Sequence, residues 1–216
     1  SGLSKRSTSA NTGLADSLEI FKMYGQVTSS SVEQARILIR FPVNETDLSE
    51  GVRTIKQDRA ANILPASGSV KFFMKLHNVE HPDTLPRNYK LVAHPLRRAW
   101  DEGLGIDLDE YSDIGQSNWL SDTSTDVNVT TDYLVEQTFD TGLEDFEVDV
   151  TKYVEDILSN DLNSGNNYGH ILQFSSSYEA DTNSYYTKKF SARDSEYYFN
   201  RPVIEAQWDS SIKDDR

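Results

Sequence analysis

Between residues 146 and 174 the apolar positions change rhythm twice. In FEVDV, Phe146, Val148 and Val150 fall on one face and Glu147 and Asp149 on the other, the period of two that marks a half-buried strand. The spacing then becomes Val150, Val154, Ile157 and Leu158, the stripe of a short amphipathic helix. Asp149 or Thr151 is placed to cap its exposed N–H groups. An Asn-Tyr-Gly turn at residues 167–169 leads into a second strand through HILQF.

The remaining apolar patterns are those of strands. Leu18, Ile20 and Met23 predict a first strand, followed by a Ser-rich turn at residues 28–31. In RILIRFPV (residues 36–43), Ile37, Ile39 and Phe41 oppose Arg36, Leu38 and Arg40. Residues 44–69 read as a loop with at most a short helical turn. Val70, Phe72, Met74 and Leu76 then alternate with Lys71, Phe73, Lys75 and His77. Further strands are predicted at residues 89–95, 184–192 and 202–208. Strands recurring with turn signals between them predict an all-β chain, a jelly-roll-like β-sandwich with one short inserted α-helix at residues 151–159.

Periodicity fades from residue 97 to residue 132, where acidic residues accumulate, as in a long surface excursion. Residues 1–11 are small and polar, suiting a flexible arm or linker, and residues 209–216 form a polar tail. The expected organisation is a single sandwich domain over residues 12–208, with the acidic excursion at 101–132.

Composition narrows the functional classes. The net charge of −14 argues against a nucleic-acid partner, since phosphates require a basic footprint. There is no cysteine, so disulfides, thiolate metal sites and a Cys nucleophile are excluded. No apolar run approaches the roughly 18 residues that span a bilayer, and no membrane partner is expected. No Gly-x-Ser-x-Gly motif, phosphate-binding loop or spaced Ser-His-acid set is present, so a non-enzymatic protein is expected.

Several short motifs occur in a recognisable order. They are Asn11-Thr12-Gly13 with Leu18-Glu19-Ile20, then Arg36-Ile37-Leu38-Ile39-Arg40-Phe41, the strand at residues 70–76, and Trp100-Asp101-Glu102. Val148-Asp149-Val150-Thr151 with Val154 follows, and finally Asn167-Tyr168-Gly169. On these residues the chain resembles the DNRLRE-type β-sandwich family, related to carbohydrate-binding-module-like jelly rolls, over residues 11–208. It departs from that pattern in the long acidic insertion after Glu102, and in Leu158 where the family carries Trp. Residues 185–189 (YYTKK) and 201–216 are also similar to structural proteins of marine tailed phages. That resemblance implies a virion component, in the tail, the neck or on the capsid surface, with other virion proteins, in multiple copies, as partners. The alternative it leaves open is a secreted or surface glycan-binding module of bacterial origin.

Candidate sites follow from both readings. Residues 101–113 hold six carboxylates, and Asp107, Asp109, Glu110 and Asp113 could supply oxygen ligands to a structural calcium; no other cofactor is expected. For the glycan alternative, Trp119, Tyr186 and Tyr198 are the candidate stacking residues. Read as strand positions, Tyr185 and Tyr186 face opposite ways, as do Tyr197 and Tyr198, which puts at least one of each pair in the core. His77 and His81 sit four apart, the spacing that on a helix would bring both to one metal, but His77 ends a strand and His81 precedes Pro82, so the helix is missing; His94 likewise precedes Pro95 at a strand end.

Overall fold

The structure is a computed structural model that describes residues 10–26, 28–45, 52–82, 84–106, 116–119 and 131–209. The described residues form ten strands: β1 (Ser17–Tyr24), β2 (Val32–Ala35), β3 (Ile37–Ile39), β4 (Lys71–Leu76), β5 (Tyr89–Pro95), β6 (Val135–Phe139), β7 (Phe146–Asp149), β8 (His170–Phe174), β9 (Tyr185–Ser191) and β10 (Val203–Gln207). They form antiparallel sheets ordered β2-β1-β9, β10-β4-β7 and β3-β8-β5-β6. The first two sheets are joined. Beyond Leu76 the chain of β4 runs on, Asn78 bridges Phe190, Ser191 N–H donates to His77 O and Val79 N–H to Lys189 O, both at 3.0 Å. β9 and β10 therefore follow one another along the same edge of β4, making one layer that faces the four-stranded sheet.

The chain changes layer between β2 and β3, β3 and β4, β4 and β5, β6 and β7, β7 and β8, and β8 and β9. This is the jelly-roll-like sandwich. The first crossing takes a single residue, Arg36, which separates β2 from β3. The layers meet in an aromatic core: Tyr89, Phe139 and Phe174 from one, Phe146, Tyr185 and Phe190 from the other. Tyr89 stacks on Phe139 at 4.9 Å, and Phe139 meets Phe146 and Phe190 at 6.4 Å each. Such offset and edge-on pairs suit the ring quadrupoles.

The inserted helix, α2 (Thr151–Ser159), occupies the predicted span. It buries Val154 and Ile157 as its stripe requires, and also Tyr153. Asp149 Oδ1 accepts the Thr151 N–H at 2.9 Å, whereas the Thr151 hydroxyl turns back and accepts the Phe72 N–H of β4, also at 2.9 Å. Two more short helices accompany it: α1 (Ile55–Ala60) and α3 (Ser176–Ala180). Thr54 and Gln57 form a capping box on α1, and Arg59 clamps it to Glu155 of α2 through two 2.7 Å hydrogen bonds.

Two strands, β2 and β6, lack the apolar alternation that predicts a strand. β2 carries no fully buried residue. In β6 the inward position between Val135 and Phe139 is Gln137, which breaks the apolar alternation. Its side-chain amide bridges to β7 instead, donating to Asp145 O and accepting from Glu147 N–H. The predicted strand over residues 36–43 is regular only through Ile39, and Phe41 packs against the core without a ladder partner.

The Asn-Tyr-Gly turn locks the helix to the sandwich. Tyr153 hydroxyl donates to Asn167 Oδ1 at 2.6 Å, Asn167 Nδ2 donates to Phe41 O at 2.7 Å and also to Glu45 Oε1, and Gly169 N–H donates to Tyr153 Oη at 3.2 Å. Gly169 has φ +80°, and a Cβ there would lie 2.3 Å from Ile39 O. Gly169→Ala is expected to lose about 1–3 kcal/mol of stability from backbone strain. Urea denaturation of the two proteins measures it.

Candidate functional site

After β9 the chain turns outward. Ser195 is buried, with its N–H donating to Ala192 O at 3.2 Å, and it accepts the Arg201 Nε–H on its own carbonyl at 2.9 Å. Between these anchors a single 3-10 turn, Tyr198–Asn200, is closed by Asn200 N–H donating to Tyr197 O at 2.9 Å. The turn raises three consecutive aromatics into solvent: Tyr197, Tyr198 and Phe199 are 66%, 70% and 90% exposed. Tyr198 and Phe199 meet edge-on at 5.6 Å, and the Arg201 guanidinium lies 5.4 Å from the centre of the Tyr198 ring. β10 follows at once, with Val203 and Trp208 exposed. Its second edge carries no strand among the described residues. The site is a ridge of ordered aromatics beside an open strand edge.

A second feature lies at the β2–β3 crossing. A cleft of about 180 Å³ is lined by residues of β1, β2 and β3, by residues 10–13, and by Trp100, Glu102 and Trp119. Trp119 Nε1–H donates to Gln34 O at 3.1 Å, and the Arg36 guanidinium stands 4.6 Å from its ring. Arg36 is itself held by two hydrogen bonds to Glu179, at 3.0 and 2.8 Å. Asn11, nearly buried, accepts the N–H groups of Gly13 and Gly105 at 3.3 and 2.9 Å, while its Nδ2 has no partner among the described residues. Trp100 donates to Tyr168 O at 2.8 Å and so ties this loop to the Asn-Tyr-Gly turn.

The sequence candidates separate accordingly. Asp107, Asp109, Glu110 and Asp113 lie outside the described residues. Among the described residues no group of three or more His, Asp or Glu side chains is placed to hold a metal. Trp119 lines the cleft, Tyr186 faces outward from β9 and Tyr198 sits on the ridge, so the three occupy three different elements. Tyr185 is buried and Tyr186 exposed, as strand alternation requires. For Tyr197 and Tyr198 that logic fails, because they lie in a turn and not in a strand, and both are exposed. The turn formers Ser195, Asn200 and Pro202 around them carried the signal. His77 Nδ1 lies 3.2 Å from Asp145 Oδ2 near the surface.

Three buried ionisable groups had no sequence signal. Lys22 and Lys188, both fully buried, sit in strands whose pattern placed apolar residues inward. His170 is buried with its ring 4.1 Å from that of Tyr153. Among the described residues no helix is long and apolar enough to cross a membrane. No family model, curated protein or solved structure matches the chain.

Proposed function

We propose that the chain is a non-enzymatic assembly module of a tailed-phage virion, in the tail, the neck or on the capsid surface, acting through protein–protein contacts with other virion proteins. The observation that carries this reading is the ridge Tyr197–Tyr198–Phe199. Aromatic side chains held in an ordered turn and left in water are what an interface anchor looks like before its partner arrives. The edge of β10 beside it, which carries no strand among the described residues, offers backbone groups for strand addition. With a net charge of −14, the complementary surface is an apolar pocket with a basic rim, and association weakens as salt rises.

A second reading, a secreted or surface glycan-binding module, rests on the cleft, where Trp119, Arg36, Gln34 and Glu102 line a concave surface. An aromatic ring beside convergent polar groups is the chemistry of sugar recognition.

Immunogold microscopy on purified particles and on host cells tests the first reading. Regular label at one place on the particle is expected. The double substitution of Tyr198→Ser and Phe199→Ser, on an exposed turn, should leave the melting temperature unchanged. It should cut incorporation into particles by about tenfold or more, as loss of an interface anchor does. Label on the cell envelope with none on particles would overturn the assembly reading. Glycan-array binding lost on Trp119→Ala would then establish the second.

A further inference from the structure

Lys188 lies on β9 and Asn78 on the extension of β4, and the register brings them together. Asn78 is bridged to Phe190, so Lys188, two residues before Phe190, is its diagonal neighbour on the same face. Lys188 Nζ stands 2.5 Å from Asn78 Oδ1. Its other two partners are main-chain carbonyls, Gly142 O and Glu144 O, both at 2.8 Å. The amine is walled by aromatic rings, with the centres of Phe190 and Phe139 at 4.9 and 5.4 Å. Among the described residues no carboxylate is hydrogen-bonded to it, although the Glu144 and Asp145 charges are close enough to act on it.

The carboxylates beside the pair have separate tasks. Asp145 is engaged: its Oδ1 accepts the Asn78 N–H at 2.7 Å and its Oδ2 faces His77. Glu144 uses Oε1 to accept the N–H groups of Asp140 and Thr141, at 3.0 and 2.8 Å. Its Oε2 is buried and has no partner among the described residues. A nucleophile, a carboxamide and an under-used carboxylate therefore share one aromatic-walled site at the junction of β4, β9 and the β6–β7 turn.

We propose that Lys188 and Asn78 join in an intramolecular isopeptide bond, with Glu144 carrying the proton. Neutral Nζ attacks Asn78 Cγ; the Nζ–Cγ bond forms and the Cγ–Nδ2 bond breaks. The proton lost by Nζ passes by way of the Glu144 carboxylate to the departing nitrogen, which leaves as ammonia. The sum is amine plus carboxamide giving a secondary amide plus ammonia, and no other reactant is consumed. Burial supplies the reactive form, since it pushes the Lys188 amine down to about 8 against the pull of Glu144 and Asp145, leaving a neutral fraction near neutral pH. Backbone N–H groups hold Glu144, against its burial, down at about 2, so it stands ionised beside the amine and, as a weak base, holds the proton only in transit to the departing nitrogen. The product would close a loop between positions 110 residues apart and staple the two halves of one sandwich layer, removing freedom from the unfolded chain. This inference stands independently of the virion reading.

Intact-mass spectrometry of the purified full chain tests it, followed by peptide mapping. The expected mass is that of the sequence less one ammonia, with the peptide containing Asn78 joined to the peptide containing Lys188. Lys188→Met, which fills the aromatic pocket without an amine, should restore the full mass while the protein still unfolds cooperatively. Glu144→Gln should stay folded and remain unlinked. Full sequence mass in the wild type after long incubation at pH about 9, where the amine is mostly neutral, would overturn the proposal. Ammonia loss mapping to residues other than this pair would also overturn it. Linking undiminished in Glu144→Gln would overturn the role given to Glu144.

Discussion

Asp181→Ala is expected to destabilise the protein by about 3–5 kcal/mol, the loss typical of leaving a buried charge without its partner. Lys22 is fully buried on β1, and its ammonium donates to three oxygens: Tyr178 O at 2.7 Å, and Asp181 O and Oδ1 at 2.6 Å each. The two carbonyls lie at the C-terminal end of α3, where the helix dipole favours a cation, but only the carboxylate balances the charge. The substitution also strips the Tyr185 hydroxyl of its acceptor, Asp181 Oδ2 at 2.6 Å. Burial pushes the Asp181 carboxyl up, yet hydrogen bonds from Lys22, Tyr185 and Asn183 outweigh it and hold the group at about 2, against 3.8 for a free one. Because the folded value is the lower, the carboxylate stabilises fully above pH 3.8, and that contribution is lost as pH falls towards 2. Urea denaturation should therefore show the full gap between wild type and variant at pH 7 and a narrowing gap below pH 3.8. A loss under about 1 kcal/mol at pH 7 would mean that two carbonyls suffice for the ammonium.

The second large effect is acid destabilisation through His170. Burial, and after it the charge of neighbouring His94, pushes the ring down to about 3 from 6.5. The unfolded chain therefore takes up the proton first. Stability is complete above pH 6.5 and falls as pH drops towards 3, by about 1.4 kcal/mol per unit. Between pH 7 and pH 4 this group alone should remove about 3 kcal/mol. His170→Leu, close in volume and unable to titrate, should flatten the stability profile by that amount, most clearly between pH 6 and 5, above the range of ordinary carboxylates. Equal slopes in the two proteins would show that the ring is not held neutral in the fold.

Both effects arise at residues whose pattern gave no warning, and the reason is common to them. A polar side chain at an inward strand position looks like an interruption of the core until its partners are known. The partners of Lys22 are 156 and 159 residues away in the chain, and Asn78 is 110 residues from Lys188. β6 escaped the pattern for the same reason, since Gln137 faces inward and is satisfied only by β7. The ridge escaped it differently. A strand period puts one of two adjacent tyrosines inward, whereas the chain there makes a 3-10 turn that exposes both.

By itself the sequence determined the elements whose burial repeats with a local period. In β4 the residues Phe72, Met74 and Leu76 are buried, and in β7 Phe146 and Val148 are, each alternating with more exposed neighbours. The α2 stripe sits under its predicted helix for the same reason. Period and turn chemistry act over a few residues, so one chain segment suffices to specify them, and together they imply the all-β sandwich. Only the tertiary structure decided which strands share a layer, that β9 and β10 succeed one another along β4, and that two lysines and a histidine lie inside. Those outcomes depend on hydrogen-bond partners and aromatic walls contributed by distant segments, and burial of an ionisable group is settled by the partners that meet it there.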